Sequence, residues 1–300
     1  MRSDLVDPTV HLLVNPASRR GASDANAVSD QLVSLGHKVE RVEADGPADV
    51  VAAILRAEPT RVIAVGGDGL IHHALPALVE AQITLGIVPS GTGNDFARAL
   101  GLPKKRTSAV ARSVGRTTAV DLLKVDHGDG IETLVATSVT AGFSGRVNAT
   151  ANARAFPRGQ LKYTVASLIE LRRLEAFDLT VGLLEDGGGG TRGIESTPCA
   201  FFAVANTRFF GGGMAIAPRA EATDGLLHLT VVEGVPAWKL ALVLPSVFVG
   251  QHVRHPSVSE RSGTRLELDH DQDVWADGEL IGTGKMAVSV VPTALSVGAF

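Results

Sequence analysis

Cysteine is almost absent from this sequence. A single cysteine, Cys199, occurs in 300 residues, so the chain cannot form an internal disulfide, which fits a reducing cytoplasm. Because this cysteine stands in the apolar run at 198–202, we expect a buried thiol rather than a reactive one.

The chain also lacks a long hydrophobic run and an excess of positive charge. Its most apolar stretch, at 237–250, contains Lys239 and Pro245 and falls short of the roughly 20 residues that a membrane-spanning helix needs. The first ten residues do not form the apolar core of a signal peptide. With 28 Lys and Arg against 32 Asp and Glu, the net charge of −4 excludes a general attraction to nucleic acid. We therefore expect a cytoplasmic protein.

What is present is the composition of a globular protein, with 45% hydrophobic and 20% charged residues and enough length for two lobes. The first 125 residues alternate strand and helix, which predicts a parallel sheet that binds ligands at the carboxyl ends of its strands. The predicted strands are 9–14, 38–43, 61–65 and 85–88, and the predicted helices are 23–35, 47–55, 71–80 and 94–100.

The sequence pattern changes after residue 126, where strand-like runs joined by glycine-rich turns dominate. This half is expected to be largely antiparallel β, with helices at 160–174 and 237–249 and a hairpin loop at 187–190. Its predicted strands are 133–140, 178–184, 200–205, 226–232, 265–268 and 286–291.

Two glycine-rich turns follow strands of the first half and precede helices. In Gly66-Gly67-Asp68-Gly69, glycine lets the backbone approach a phosphate, and an acidic residue suits a bound metal ion or an accepted hydrogen bond. In the second turn, SGTGND at 90–95, one polar residue would suffice to cap the next helix, whereas four are present. Both turns are therefore candidate binding sites, although a tight strand–helix turn uses similar residues.

A third polar turn, NPASRRG at 15–21, ends the first strand. Taken alone, it is equally well explained by a turn followed by a solvated basic pair.

The ordered set NPASRRG, GGDG and SGTGNDFARALGLP resembles the diacylglycerol kinase catalytic family, which includes bacterial diacylglycerol kinases and the sphingosine and ceramide kinases. The resemblance continues through VDL at 120–122, FFGGG at 209–213 with Ala217-Pro218, ATDGLL at 222–227 and ADGE at 276–279. It covers nearly the whole chain, and SGTGNDFA is its most specific part.

The resemblance implies an α/β nucleotide-binding lobe at 1–125, a β-sandwich lipid-substrate lobe at 126–290, and a segment at 291–300 that returns to the first lobe. It implies ATP as donor, Mg²⁺, and phosphorylation of a hydroxyl on diacylglycerol or a related lipid. Asp68 would be the essential acidic residue, supported by Asp95 and Asp121, and Glu279 would be the general base. Nucleotide binding would fall to Asn15, Ser18, Gly66, Gly67, Gly69, Gly91, Thr92, Asn94 and Asp95, and a magnesium site to Glu221, Asp224, Leu226 and Asp121.

The sequence departs from the family pattern at a few positions. Leu70 stands where the family has a threonine, His72 and His73 where Asn-Glu is common, and Arg19 where glycine is frequent. Losing one hydroxyl hydrogen bond costs about 1 kcal/mol, which weakens nucleotide binding without abolishing it.

Two alternatives remain open from the residues. An NAD kinase-like or phosphofructokinase-like enzyme would share the GGDG turn, and a lapsed kinase would only bind lipid or nucleotide. The expected partners are ATP and a lipid at a membrane surface, reached by a peripheral protein, and a homodimer is compatible with the sequence. The basic, apolar segment at 152–173 is either a docking surface for anionic lipid or a core-packed helix with solvated arginines.

Overall fold

The computed structural model describes residues 9–14, 19–128, 130–143, 147, 150, 170, 175–184 and 192–298. The chain divides into two compact units, Met1–Val120 with Ala294–Phe300, and Asp121–Thr293. Parallel strands and helices fill the first unit and antiparallel strands the second, which confirms the predicted fold class.

The first unit contains a parallel sheet. Its order is β15-β4-β3-β1-β2, in which the last strand of the chain contributes Val297 and Gly298 beside Leu85 and Gly86. The elements are β1 Thr9–Val14, α1 Arg19–Ser34, β2 Lys38–Val42, a 3-10 turn Pro47–Asp49, α2 Val50–Ala57, β3 Arg61–Gly66, α3 Asp68–Glu80, β4 Thr84–Pro89, α4 Asp95–Ala99 and α5 Arg106–Ser113, together with the C-terminal end of β15 Met286–Gly298, whose first residues belong to the second unit.

Sequence pattern explains these elements. β1, β3 and β4 carry runs of four or five consecutive buried residues, as strands of a parallel sheet covered on both faces do. Val28 and Leu32, spaced one helical turn apart on α1, are fully buried and pack in one hydrophobic cluster with residues of β1 and β3. The predictions for α1 and α3 placed their first turns too late, because α1 begins at Arg19 and α3 at Asp68, both inside the polar motifs rather than after them.

The second unit is an antiparallel assembly in which β9 changes partners along its length. The elements are β5 Thr117–Asp126, β6 Glu132–Val135, β7 Ser138–Gly142, β8 Phe177–Leu184, β9 Arg192–Ala205, β10 Leu227–Glu233, α6 Ala237–Val243, 3-10 turns Leu244–Val249 and His252–Arg254, β11 Val258–Gly263, β12 Arg265–Asp269, β13 Asp273–Ala276 and β14 Glu279–Thr283. The first half of β9 pairs with β8, and its second half lies between β7 and β10.

One strand prediction in this half is wrong. The run at 133–140 is not one strand but two, β6 and β7, separated at Ala136 and Thr137. The backbone amides of these two residues bond to the side chain of Asp277 instead of continuing a ladder. The predicted strand at 200–205 is the end of the longer β9, and β15 runs well past its predicted end.

The predicted helix at 237–249 is confirmed as α6 and the 3-10 turn that follows it. In the described part of the chain, no helix combines the length and the apolar character that crossing a membrane requires. Cys199 is buried in β9, as expected, and burial raises the pKa of its thiol to about 12. The helix predicted at 160–174 and the loop predicted at 187–190 fall on residues outside the described ranges, apart from Glu170.

Candidate active site

The two glycine turns of the first unit lie side by side. β3 and β4 are neighbouring parallel strands that end in register, with Gly66 opposite Pro89. The amide of Ser90 donates to the carbonyl oxygen of Gly66 at 2.9 Å, so the GGDG and SGTGND turns leave the sheet together. The structure therefore brings Gly66, Gly67, Asp68 and Gly69 next to Gly91, Thr92, Asn94 and Asp95, as strand order predicted.

The backbones of these turns approach so closely that side chains are excluded. A Cβ added to Gly91 would stand 2.6 Å from the Cα of Gly67, and one added to Gly67 would stand 3.1 Å from the Cα of Gly91. Both glycines are thus required by the contact between the turns themselves. Gly91 and Thr92 remain exposed, which leaves their backbone open to a ligand.

Asp68 connects the two turns. It is the first residue of α3, and its carboxylate accepts the backbone amides of Asp95 at 3.0 Å and Phe96 at 3.1 Å. These amides are the free donors at the start of α4, so Asp68 caps that helix from another element. Through these two hydrogen bonds Asp68 positions the SGTGND turn.

Asn94 fixes the shape of the same turn. Its backbone is left-handed, with φ of 54°, and its side chain accepts the amide of Gly91 at 3.0 Å and donates to the carbonyl of Gly91 at 2.7 Å. Asp95 is 4% exposed and lies 3.5 Å from the guanidinium of Arg98. The turn is therefore held from within by its own polar residues, which explains why more than one is present.

Leu70 is accommodated by burial. It is 6% exposed, and its side chain covers Gly66, where an added Cβ would meet Leu70 Cδ2 at 2.5 Å. An apolar side chain at this position fills the space beside the strand end. His72 and His73 are half-buried on α3 with ring centroids 5.5 Å apart, and the described residues contain no group of three or more metal-ligating side chains.

Two of the predicted nucleotide-binding residues, Asn15 and Ser18, lie outside the described residues. Their predicted roles remain predictions.

Asp121 and the loop at 221–226 are joined in the second unit. Asp121 is 2% exposed, and its two carboxylate oxygens accept the amides of Gly225 at 2.8 Å and Thr293 at 2.7 Å. Its own amide donates to the carbonyl of Ala222 at 2.7 Å. Asp121 therefore holds this loop against the strand from both sides.

The expected magnesium site consists of Glu221, Asp224, Leu226 and Asp121, with Asp224 as its aspartate ligand. Asp224 Oδ1 accepts the amide of Leu226 at 2.9 Å, and Asp224 Oδ2 lies 2.9 Å from His228 Nε2 and 3.2 Å from the amide of Glu221. Mg²⁺ needs a near-octahedral set of oxygen ligands at about 2.0–2.1 Å, and an imidazole N–H directed at the same oxygen competes with that ligation. The donor set in this arrangement does not fit Mg²⁺.

Sequence reasoning missed two residues that organise the second unit. Asn206 is fully buried, and its amide nitrogen donates to the carbonyls of Asp121 at 2.8 Å and Ala136 at 2.9 Å. Asp277 accepts the amides of Ala136 and Thr137 and the hydroxyl of Thr137. Together they link the Asp121 loop to the start of β14. A signal for Asn206 existed, since it is a single amide that directly follows the apolar run at 198–205.

Glu279 is the first residue of β14 and not part of the turn, which consists of Asp277 and Gly278. The two turn residues carry the left-handed backbone, with φ of 49° for Asp277 and 91° for Gly278. The Glu279 side chain is exposed at a strand end that Asp277 fixes in place, so it is free to meet a substrate group.

An apolar pocket of about 90 Å³ lies in the second unit. It is surrounded by aromatic and aliphatic side chains, among them Phe143, Phe201, Phe210, Met214, Leu240 and Val247. The polar exception is His252, which is 1% exposed and whose Nε2 lies 3.0 Å from the carbonyl oxygen of Ile216. Such a lining suits a hydrocarbon chain and offers little to a sugar or a nucleotide.

Two family models match the chain. Residues 9–125 match the diacylglycerol kinase catalytic domain, and residues 137–299 match the YegS C-terminal NAD kinase beta sandwich-like domain. The two matches cover both compact units.

Similar proteins carry related descriptions. A diacylglycerol kinase of Mycobacterium tuberculosis (strain CDC 1551 / Oshkosh) is 35% identical over 300 residues, which are 96% of this chain and 94% of that protein. A YegS-like protein of Yersinia enterocolitica, described as a probable lipid kinase, is 28% identical over 96% of each chain. The crystal structure of a diacylglycerol kinase from Bacillus anthracis str. Sterne superimposes with a TM-score of 0.70 at 16% identity, covering 98% of this chain and 97% of that one.

Proposed function

The chain belongs to the diacylglycerol kinase catalytic family, and from this premise we propose that it transfers the γ-phosphoryl group of ATP to the hydroxyl of diacylglycerol, giving phosphatidic acid. The observation that carries the proposal is the paired glycine turns at the ends of β3 and β4, connected through Asp68. A peripheral position at the membrane surface follows from the nature of the acceptor.

The phosphate end of ATP is assigned to these two turns. Exposed backbone at Gly91 and Thr92 can approach phosphate oxygens without steric hindrance from side chains. The Asp68 carboxylate accepts the first two backbone amides of α4, and it therefore acts by positioning the SGTGND turn. Phosphoryl transfer depends mainly on such positioning and on compensation of charge, so a rigid turn is the feature that the reaction needs.

The acceptor end is assigned to Glu279. Its carboxylate takes the proton of the lipid hydroxyl while the hydroxyl oxygen bonds to the γ-phosphorus, and the bond from that phosphorus to the β,γ-bridging oxygen breaks, releasing ADP. Asp277, Thr137 and Asn206 hold the strand end from which Glu279 projects. A base of this kind contributes about 10²–10⁴-fold to the rate.

The apolar pocket supports a lipid acceptor. Its free volume of about 90 Å³ is well below the roughly 300–1,000 Å³ of drug-sized ligand sites, so it takes a short stretch of hydrocarbon. We assign it to part of an acyl chain and expect the pocket to widen when a longer chain binds.

Magnesium enters the proposal as the counter-ion that accompanies ATP, where it offsets the charge of the phosphates. Because Asp224 is already occupied by Leu226, Glu221 and His228, no step is assigned to a metal ion at that loop.

The test is a phosphorylation assay with radiolabelled ATP. Purified protein is offered diacylglycerol, monoacylglycerol, ceramide and sphingosine in mixed micelles, and NAD and fructose 6-phosphate in solution. We expect label in phosphatidic acid and none in the two soluble acceptors. Label in another lipid would correct the acceptor, whereas label in NAD or sugar phosphate would refute the proposal. If the wild-type protein binds ATP but labels none of the acceptors, it is a lapsed kinase.

A further inference from the structure

The segment at 237–249, which consists of α6 and the 3-10 turn after it, has an uncovered apolar face. Within the described part of the chain, eight large hydrophobic side chains are exposed, and four of them belong to these thirteen residues. They are Trp238, Leu242, Phe248 and Val249, with exposed fractions of 63%, 73%, 57% and 68%. We call these four side chains the outer face. Such a concentration of exposed apolar side chains marks an interaction site.

The opposite side of the same segment is also apolar. Leu240 and Val247 are buried at 6% and 7% exposure, and they line the apolar pocket together with Val243 and Leu244. A helix on the surface of a globular domain normally has polar residues on its outward side. This segment departs from that rule on its outward side, so it forms a thin apolar wall between the pocket and the surroundings.

The Lys and Arg residues of the stretch at 234–259, which contains the outer face, are not accompanied by any acidic residue. No Asp or Glu occurs from Gly234 to Ser259, although the chain as a whole has 32 acidic residues. Lys239 Nζ lies 5.6 Å from the centroid of the Trp238 ring, and Lys239 and Arg254 line the same surface groove as Trp238 and Leu242. Tryptophan favours the headgroup level of a bilayer, and lysine and arginine are attracted to anionic lipid.

We propose that the outer face docks the protein on a bilayer that contains anionic phospholipid. The proposal rests on the lipid-kinase function given above, because a lipid acceptor lies in a bilayer. Its added content is the surface itself: Val243 and His252 contribute both to the pocket and to the outer groove, so docking brings the pocket wall to the lipid. The earlier candidate at 152–173 lies, except for Glu170, outside the described residues.

The test measures vesicle binding in the absence of ATP. Wild type, Trp238→Ser/Leu242→Ser and Phe248→Ser/Val249→Ser are co-sedimented with phosphatidylcholine vesicles that contain increasing phosphatidylglycerol. Val33→Ser/Leu35→Ser is the matched control, because these apolar side chains are also exposed, at 58% and 48%, but belong to the first unit. The ratio of bound to free protein should fall about tenfold or more in each outer-face variant and stay unchanged in the control. Wild-type binding should weaken with added salt.

Tryptophan fluorescence supplies a second, direct measurement. The sequence has two tryptophans, of which Trp275 is 8% exposed and Trp238 is exposed. Addition of anionic vesicles should shift the emission to shorter wavelength through Trp238, and Lys239→Gln/Arg254→Gln should reduce the dependence on phosphatidylglycerol. Thermal melting of each variant confirms that the fold is retained.

Two outcomes would overturn the proposal. One is vesicle binding by folded outer-face variants that equals wild type, which would place docking elsewhere. The other is a wild-type dimer that becomes monomeric in these variants without any change in vesicle binding, which would assign the face to a second copy of the chain. The two proposals fail in different experiments. Failure of the proposed activity appears as unlabelled lipid in the mixed-micelle assay, whereas failure of the docking proposal appears in vesicle binding measured without ATP.

Discussion

Asp277 accepts two hydrogen bonds from Thr137 through one carboxylate oxygen, from the amide at 2.8 Å and from the hydroxyl at 2.6 Å. The two residues are 140 positions apart in the sequence. The other carboxylate oxygen accepts the amide of Ala136, so this side chain closes the break between β6 and β7 and fixes the start of β14.

Replacing Asp277 with Ala should lower the free energy of unfolding by about 2–3 kcal/mol, because the amides of Ala136 and Thr137 lose their acceptor. Urea denaturation measures the change. Asp273→Ala, an exposed position on β13, is the control and should leave stability almost unaltered. If Asp277→Ala and Asp273→Ala unfold at the same urea concentration, water satisfies the amides of Ala136 and Thr137 as well as the Asp277 carboxylate does.

Glu279→Gln should lower kcat about 10²–10⁴-fold with little change in the KM for ATP, because a base acts on the acceptor hydroxyl in the transition state. Steady-state kinetics with varied ATP separate the two constants. Glu267→Gln, at an exposed position of β12, should behave as wild type. A loss of ATP affinity with kcat intact would instead place Glu279 among the binding residues.

Asp68→Asn should nearly abolish activity and also lower the unfolding free energy by about 1–2 kcal/mol. The Asn side chain keeps one oxygen, which can still accept one of the two backbone amides, of Asp95 or Phe96. Its NH₂ group stands in place of the other oxygen, so the second backbone amide faces a donor and loses its hydrogen bond. Kinetics and urea denaturation are measured on the same preparation, with Asp30→Asn, at an exposed position of α1, as the control in the same unit. Normal turnover in folded Asp68→Asn would remove this side chain from the mechanism.

Gly91→Ala should weaken ATP binding at least about tenfold, because the added Cβ, 2.6 Å from the Cα of Gly67, forces the two turns apart. Gly46→Ala is the matched control, since its backbone is extended and nothing lies within 4 Å of the added atom. Titration with ATP, followed by calorimetry, gives both affinities. Equal affinities would show that the turns are not the phosphate site.

Lowering the pH below about 6.5 should destabilise the fold. Burial lowers the pKa of His270 below 6.5, with His127 adding to the effect and Asp269 and Asp271 opposing it, and burial also lowers the pKa of His252. The unfolded chain then binds protons that the folded chain resists, so the stability present above pH 6.5 is lost as pH falls. Urea midpoints at pH 7.5 and 5.5 measure this loss.

His270→Phe should reduce that pH dependence, because His270 already packs against Phe177 and Phe202 and its Nδ1 accepts the amide of Gln272 in the neutral form. An unchanged difference between pH 7.5 and 5.5 in His270→Phe would assign the effect to other groups.

The parallel first half, the antiparallel second half, the buried Cys199 and the helix at 237–249 could be predicted from the sequence. Each depends on periodicity, glycine turns and local apolar pattern, which act between residues close in the chain. The family was likewise identified from the sequence, through the resemblance of the ordered motifs NPASRRG, GGDG and SGTGNDFA to the pattern of the diacylglycerol kinase catalytic family.

Other features were decided by the tertiary structure. Asp68 caps a helix that begins 27 residues later, Asp277 bonds to Thr137 across 140 residues, and the run at 133–140 is divided for that reason. Hydrogen-bond partners of this kind follow from which strands become neighbours, and sequence spacing does not encode that. The outer face at Trp238 and Leu242 is the same case: the sequence shows an apolar helix, whereas the fold determines which of its side chains are buried and which are left uncovered.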